Sequence, residues 1–189
     1  MTMNKIRCDW CLGSPEYIAY HDNEWGQAVY DERTLFEFIV LESAQAGLSW
    51  ITILRKRTGY KAAFHDFDPV KVSKMTEDDI ERLMQDPQIV RNRLKIKATI
   101  SNAQAFLRIA EEFGSFSHYY WGFNNHQIIV NQFASLTDVP AVTDLATKIS
   151  KDMKKRGFKF VGSTIMYAHM QATGMLNDHL VSCFRYEQV

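Results

Sequence analysis

Leu41-Glu42-Ser43-Ala44-Gln45-Ala46-Gly47-Leu48-Ser49-Trp50 is the stretch on which the reading of this chain turns. Just upstream, Phe36, Ile39 and Val40 recur on one helical stripe, with Phe38 and Leu41 beside it. The spacing predicts a helix over residues 32–46, N-capped by Asp31. Glu42 falls inside that apolar run. A carboxylate there is either turned outward or held in a pocket for a purpose. Gly47 is expected to break the helix and leave Leu48 on the break. Ser49 then offers an N-cap for a second helix starting at Trp50. One turn thereby gathers an acid, a large aromatic plate and a protruding apolar tip. These are the parts needed to hold a flat, electron-poor ring. The plainer alternative is a helix C-cap, a solvent-facing Glu42 and a core Trp50.

Working outward, the period stays helical nearly throughout, so the expected class is all-α. The second helix should run from Ser49 to about Arg57 and end near Gly59, with a shorter piece from Tyr60 to Phe64. Thr76 opens a short helix with acids in its first turn. A long amphipathic helix is expected over residues 91–112, stopped by Gly114. Ser115 caps a short aromatic segment through Phe123. Residues 124–142 read as loop, with some β-like character at Ile128-Ile129-Val130. Two helices, 143–156 and 163–173, flank Gly157-Phe158-Lys159-Phe160-Val161-Gly162. A last helix is expected from about Asn177, carrying His179 and Cys183. Residues 1–30 hold too many aromatics for a floppy tail and are expected to wrap the core.

With 189 residues, 46% hydrophobic and 23% charged, the chain is long and apolar enough to bury a core. We expect a single compact domain over residues 1–189. The formal net charge is zero, so any polyanion-binding surface must come from local clustering. No apolar run reaches transmembrane length and no signal-peptide core is present, which points to a cytoplasmic, soluble protein with no membrane partner. Three cysteines are an odd set that argues against a disulfide framework and leaves metal binding open.

Three constellations could carry chemistry. The hairpin between the 143–156 and 163–173 helices ends in Gly162, just before Ser163 and Thr164 at a helix N-terminus. Free N–H groups there bind phosphate well, and Lys154, Lys155, Arg156 and Lys159 cluster beside them. An ordinary αα-hairpin with solvated lysines fits the same pattern. Next, His179 and Cys183 are four residues apart and suit Zn²⁺, with Cys8 and His21 as candidate partners. Cys8-x-x-Cys11 is itself ligand spacing, so the N-terminal ligand stays open. Last, Trp10, Tyr17, Tyr20, Trp25 and Trp50 could surround Glu42, aromatic faces and a carboxylate being attractive to a cationic ring. An aromatic-rich core accounts for the same residues.

Four segments then carry a resemblance: Tyr17-Ile18-Ala19-Tyr20-His21-Asp22-Asn23-Glu24-Trp25-Gly26, Gln45-Ala46-Gly47-Leu48-Ser49-Trp50, Lys154 through Gly162, and Asn177-Asp178-His179. In this order they resemble the 3-methyladenine DNA glycosylase I family, within the helix–hairpin–helix glycosylase superfamily. The resemblance spans nearly the whole chain and is weakest over residues 124–142. It implies base-excision repair: removal of 3-methyladenine from alkylated double-stranded DNA, released as the free base, by a monofunctional enzyme. The sequence itself does not report oligomeric state, and a monomer is the simplest expectation. It implies that Glu42 is the working carboxylate and holds the adenine edge, with Tyr20 beside it. Trp50 would stack on the base, Tyr17 and Trp25 would complete the wall, and Trp10 would lie at the mouth. Leu48 on the Gly47 turn would wedge into the duplex, and Lys159, Gly162, Ser163 and Thr164 would hold its backbone. Cys8, His21, His179 and Cys183 would hold one structural zinc that clips the two ends of the chain together. Superfamily members often carry a catalytic Asp two residues before a His. Here that position reads Asn177, with Asp178 one step off, which implies that the usual carboxylate is missing.

Two other classes of function compete. A non-catalytic helix–hairpin–helix DNA-binding module would keep the hairpin but need neither Glu42 nor Trp50. A zinc hydrolase would need an open metal position, which four protein ligands deny it.

Overall fold

The computed structural model describes residues 5–189 and is nearly all helical. A 3-10 turn, Asp9–Gly13, leads into α1 (Pro15–Asn23), started by Pro15 and capped by the Ser14 hydroxyl, which accepts from the Tyr17 N–H. The central helix is α2 (Glu32–Gln45), whose N-cap Asp31 accepts from the Thr34 N–H at 2.8 Å. Leu35, Phe36, Phe38, Ile39, Val40 and Leu41 are all buried, so α2 is enclosed rather than one-sided. It packs against α3 (Trp50–Ala63), α6 (Arg93–Phe113) and α9 (Ser163–Ala172). Short helices α4 (Pro69–Val72) and α5 (Glu77–Met84) brace α6, and α7 (Phe116–Gly122) follows it. α8 (Asp144–Lys155) and α9 lie against each other across a seven-residue connection.

Two apolar clusters build the interior. The larger runs along α2, α3, α6 and α7 to α9. The smaller joins Cys8, Tyr20 and Trp25 of the N-terminal segment to Phe38, Ala172, Leu180 and Cys183. Trp50 packs against both. Among the described residues no helix is long and apolar enough to cross a membrane.

The structure corrects the sequence reading at two places. The helix that starts at Trp50 does not stop near Gly59 but runs on to Ala63, absorbing the separate piece expected from Tyr60. Gly59 is there because the 87–90 segment crosses the helix: a Cβ at 59 would lie 2.5 Å from the Gln88 carbonyl oxygen. The chain after Asn177 forms consecutive turns, not a helix. Leu176–Asn177 is a short strand, β2, paired in parallel with β1 (Ile129–Val130). That pairing fulfils the β-like character read at residues 128–130, and it diverts the C-terminal backbone from helical hydrogen bonding.

Candidate functional site

The α2 helix ends at Gln45, and Gly47 takes a left-handed φ of +77° that turns the chain into α3. Leu48 is left exposed on that turn. Ser49 stands at the N-cap position, but its hydroxyl meets Thr52 Oγ1 rather than a backbone N–H. Tyr17 serves instead: its phenol oxygen accepts from the Ile51 N–H at 3.0 Å. A residue the sequence did not single out holds the other side. Lys95 Nζ, on α6, donates to the Ala44 and Ala46 carbonyl oxygens at 2.8 and 2.7 Å. It satisfies the C-terminal carbonyls of α2 and sets a positive charge at the negative end of the helix dipole.

Behind this turn lies a cavity of about 220 Å³. Its walls are Trp10, Tyr20, Trp25, Glu42, Gln45 and Trp50 on one side, with Leu136, Val139, Ala168, Gln171 and Asp178 completing it. Small-molecule pockets run ~300–1,000 Å³, so this one suits a single flat bicyclic ring. Tyr20 and Trp50 stand 5.5 Å apart, and Trp10 and Trp25 5.1 Å, between ring centroids. Tyr17, expected in the wall, does not line the cavity. It sits edge-on behind Trp10 at 5.7 Å, its hydroxyl committed to α3.

Glu42 is 3% exposed, and its Oε2 finds no hydrogen-bond partner among the described residues. Burial pushes its pKa up to about 8. The Trp50 indole N–H is also buried and unpartnered. The Tyr20 phenol is held protonated well above its usual range, by burial first and then by the neighbouring Glu42. Buried polar groups are nearly always paired, so orphan atoms on two residues that line one cavity single it out as a candidate ligand site.

Asn177 turns away from the cavity. Its side chain donates to the Tyr186 carbonyl at 2.8 Å and accepts from the His179 N–H at 3.2 Å. Asp178 is the residue of that pair that lines the cavity. Periodicity gave no sign of this, because the segment is a strand end followed by turns.

Beside the cavity, Cys8, His21, His179 and Cys183 come together with all four candidate ligand atoms within 4.8 Å of one another, every residue buried. Cys11 is buried too but stays outside the cluster, so of the Cys8-x-x-Cys11 pair only Cys8 joins it. His21 Nδ1 pairs with Asp22 Oδ1 at 2.9 Å, and Asp22 is gripped by Arg7 at 2.7 Å. His179 Nε2 pairs with the Trp25 carbonyl at 3.1 Å. Both rings are thereby oriented from behind, as metal-binding imidazoles usually are. The group could hold a metal ion. Trp25 connects the two features, since its ring meets His179 edge-on at 4.6 Å while also walling the cavity.

The α8–α9 connection has its own support. Asn102, fully buried on α6, donates to the Lys159 carbonyl at 3.0 Å and accepts from the Lys159 N–H at 2.8 Å. Lys159 itself is exposed. Gly162 occupies the N-cap of α9 and no side chain caps the first turn, where Ser163 is half-buried and Thr164 exposed. The N–H groups of that turn are therefore not consumed by a capping side chain.

Comparison with known proteins agrees with this geometry. The family model described as methyladenine glycosylase matches residues 10–186. The DNA-3-methyladenine glycosylase 1 of Escherichia coli K12 is 53% identical over 180 residues, covering 95% of this chain and 96% of that protein. A crystal structure of a 3-methyladenine DNA glycosylase I superposes with a TM-score of 0.92 at 52% identity, covering 95% of this chain and 98% of the other. The Staphylococcus aureus 3-methyladenine DNA glycosylase I, solved for its recognition of 3-methyladenine, gives a TM-score of 0.92 at 43% identity, over 94% and 95% of the two chains.

Proposed function

The chain belongs to the methyladenine glycosylase family, and on that premise we propose that it excises 3-methyladenine from alkylated double-stranded DNA. The observation that carries the proposal is the cavity walled by aromatic faces, with Glu42, whose Oε2 is unpartnered, among its lining residues. An extruded base offers its amine and ring nitrogens to the acid and its face to Trp50.

Methylation at N3 places positive charge on adenine, so the base leaves neutral and its glycosidic bond is already weak. Little activation of the leaving group is needed. Glu42 is matched to that charge. Burial disfavours its charged form, and a cationic ring favours it, so the acid gains most from pairing with the damaged base. The Tyr20 phenol remains a donor throughout. Breakage of the C1′–N9 bond sends the electron pair into the ring, and water completes hydrolysis at C1′. Leu48 fills the gap that the flipped nucleotide leaves, and the backbone N–H groups after Gly162, with Ser163, Thr164 and Lys159, hold the phosphates. This is the role of a helix–hairpin–helix.

The Cys/His group would hold one zinc ion in a structural role, and its spacing fits that ion. Bonds of ~2.3 Å to sulfur and ~2.05 Å to nitrogen at tetrahedral angles put neighbouring S and N ligands about 3.6 Å apart. The pairs Cys183–His21, Cys183–His179 and Cys8–His179 stand at 3.4, 3.6 and 3.7 Å. Four protein ligands leave no place for a reacting water. Held by these four residues, a metal would tie the N-terminal segment to the C-terminal turns and so fix the Trp25 wall.

The test is chromatography of bases released from methylated DNA. The native protein should release 3-methyladenine selectively. Glu42→Gln should lose release by about 100-fold, the scale of removing one preorganised polar group, while binding undamaged DNA as before. No release from a folded, metal-loaded sample would leave a non-catalytic DNA-binding module.

A further inference from the structure

We propose that Asp178 is a second working carboxylate of the cavity, a fixed negative charge that stabilises the sugar cation formed as the base departs. The inference rests on the glycosylase reading above and adds a residue to it. Glu42 and Asp178 are the two acids that line the cavity, and their surroundings are opposite. Glu42 has an unpartnered oxygen, whereas Asp178 is surrounded by donors. Its Oδ2 accepts from the Tyr167 hydroxyl at 2.5 Å and from Gln171 Nε2 at 2.8 Å, and its Oδ1 accepts from Asn131 Nδ2 at 2.6 Å. Three donors from two separate segments fix where the carboxylate sits: Asn131 follows β1, while Tyr167 and Gln171 lie on α9. Charge held in place before reaction, in a site screened from water, is the kind that lowers a barrier most.

In the step itself the C1′–N9 bond breaks and its electrons pass to the ring, which leaves as neutral 3-methyladenine. Positive charge moves to C1′ and the ring oxygen of the sugar. The oxygen of water bonds to C1′ and a water proton goes to solvent. Asp178 takes no proton; it acts through its field.

The experiment compares two duplexes in the presence of free 3-methyladenine. One carries a protonated pyrrolidine at the abasic position and the other an uncharged tetrahydrofuran. Native protein and Glu42→Gln should both prefer the cationic duplex by at least about tenfold, and Asp178→Asn should lose that preference. In single turnover, Asp178→Asn should also excise about 100-fold more slowly. Tyr167→Phe keeps the carboxylate and removes only one tie, so it should stay within about tenfold of native. Quenching of tryptophan fluorescence by free 3-methyladenine should change little in either variant. No preference in the native protein overturns the proposal, even where Asp178→Asn does not fold. So does loss of the preference in Glu42→Gln, which would move the charge to Glu42, and so does an equal fall in Tyr167→Phe and Asp178→Asn, which would reduce Asp178 to a structural tie. Failure of the glycosylase reading is separate, since it shows as absence of 3-methyladenine release by the native protein.

Discussion

The cavity and the Cys/His cluster share Trp25 as a wall, yet they bury polar groups in opposite ways. In the cluster the second nitrogen of each imidazole is used, His21 by Asp22 and His179 by the Trp25 carbonyl. Each sulfur also accepts a backbone N–H, Cys8 from Leu180 and Cys183 from Arg185, both at 3.4 Å. In the cavity Glu42 Oε2 and Trp50 Nε1 are left without partners. A set of groups satisfied from behind and converging on a point serves structure. A set left unsatisfied toward open space serves a ligand that comes and goes. The difference teaches how to separate the two kinds of buried polar site, and it can be broken by experiment.

The largest effect should come from the cluster. Chelation, or Cys183→Ser, should lower the melting temperature by more than about 10 °C, because structural zinc sites contribute folding free energy directly. The N-terminal segment and the turns after Asn177 should become protease-sensitive first, since the cluster joins them. Metal analysis of the native protein should give one ion per chain. A chelated sample that keeps its melting temperature and loses only excision would erase the contrast between the two regions.

The cavity should behave in the reverse sense: removing its charge-bearing group should stabilise the protein. Glu42 has a folded pKa of about 8 against 4.5 for the exposed group. Below the unfolded value both states carry the proton and burial brings no penalty. As pH rises toward 8 the unfolded chain has released the proton and the folded chain has not, so stability is lost progressively over that window. With ~1.4 kcal/mol per pKa unit, Glu42→Gln should exceed native by roughly 3–5 kcal/mol above pH ~8 and by little below pH ~4.5. Parallel thermal melts across that range check the slope. A gap that does not grow with pH would mean that Glu42 is solvated or paired in solution.

The sequence made one of these regions far more legible than the other. The turn from Leu41 to Trp50 is local, so helical period, Gly47 and the place of Glu42 inside an apolar run could be read together, though not whether its side chain turns inward or outward. The Cys/His cluster joins an N-terminal pair to a C-terminal pair, His21 and His179 being 158 residues apart, and spacing cannot report such convergence; it offered Cys8 and His21 as candidates, and family resemblance assembled the set. The C-terminal turns were misread as helix because His179 and Cys183 fit a helical face. In the structure, β1–β2 pairing and the cluster place them instead. Leu136, Val139 and Asp178 reach the cavity from segments without periodicity, so nothing local marked them. Lys95 and Asn102 were invisible for another reason. On a long amphipathic helix they read as one solvated cation and one small polar residue, and their partners are backbone atoms far away in sequence.

Those two residues give the finest test of whether the cavity is independent of its surroundings. They are seven apart on α6, two turns along one face. Lys95 holds the end of the helix that bears Glu42 and Leu48, and Asn102 holds the Lys159 backbone. Burial lowers the Lys95 pKa, yet its two carbonyl partners keep it in place. Lys95→Met should keep the apolar stem and lose both hydrogen bonds, destabilising by about 1–2 kcal/mol. The loosened Gly47–Leu48 turn should weaken binding to alkylated duplex by about five- to thirtyfold, a change equivalent to that energy. Glu42 lies nearly one turn further into the helix, so fluorescence quenching by free 3-methyladenine should stay at the native level. Equal weakening toward duplex and free base would show that the wedge turn and the cavity are one mechanical unit, and that the ligand-facing orphans depend on Lys95 as much as on the walls around them.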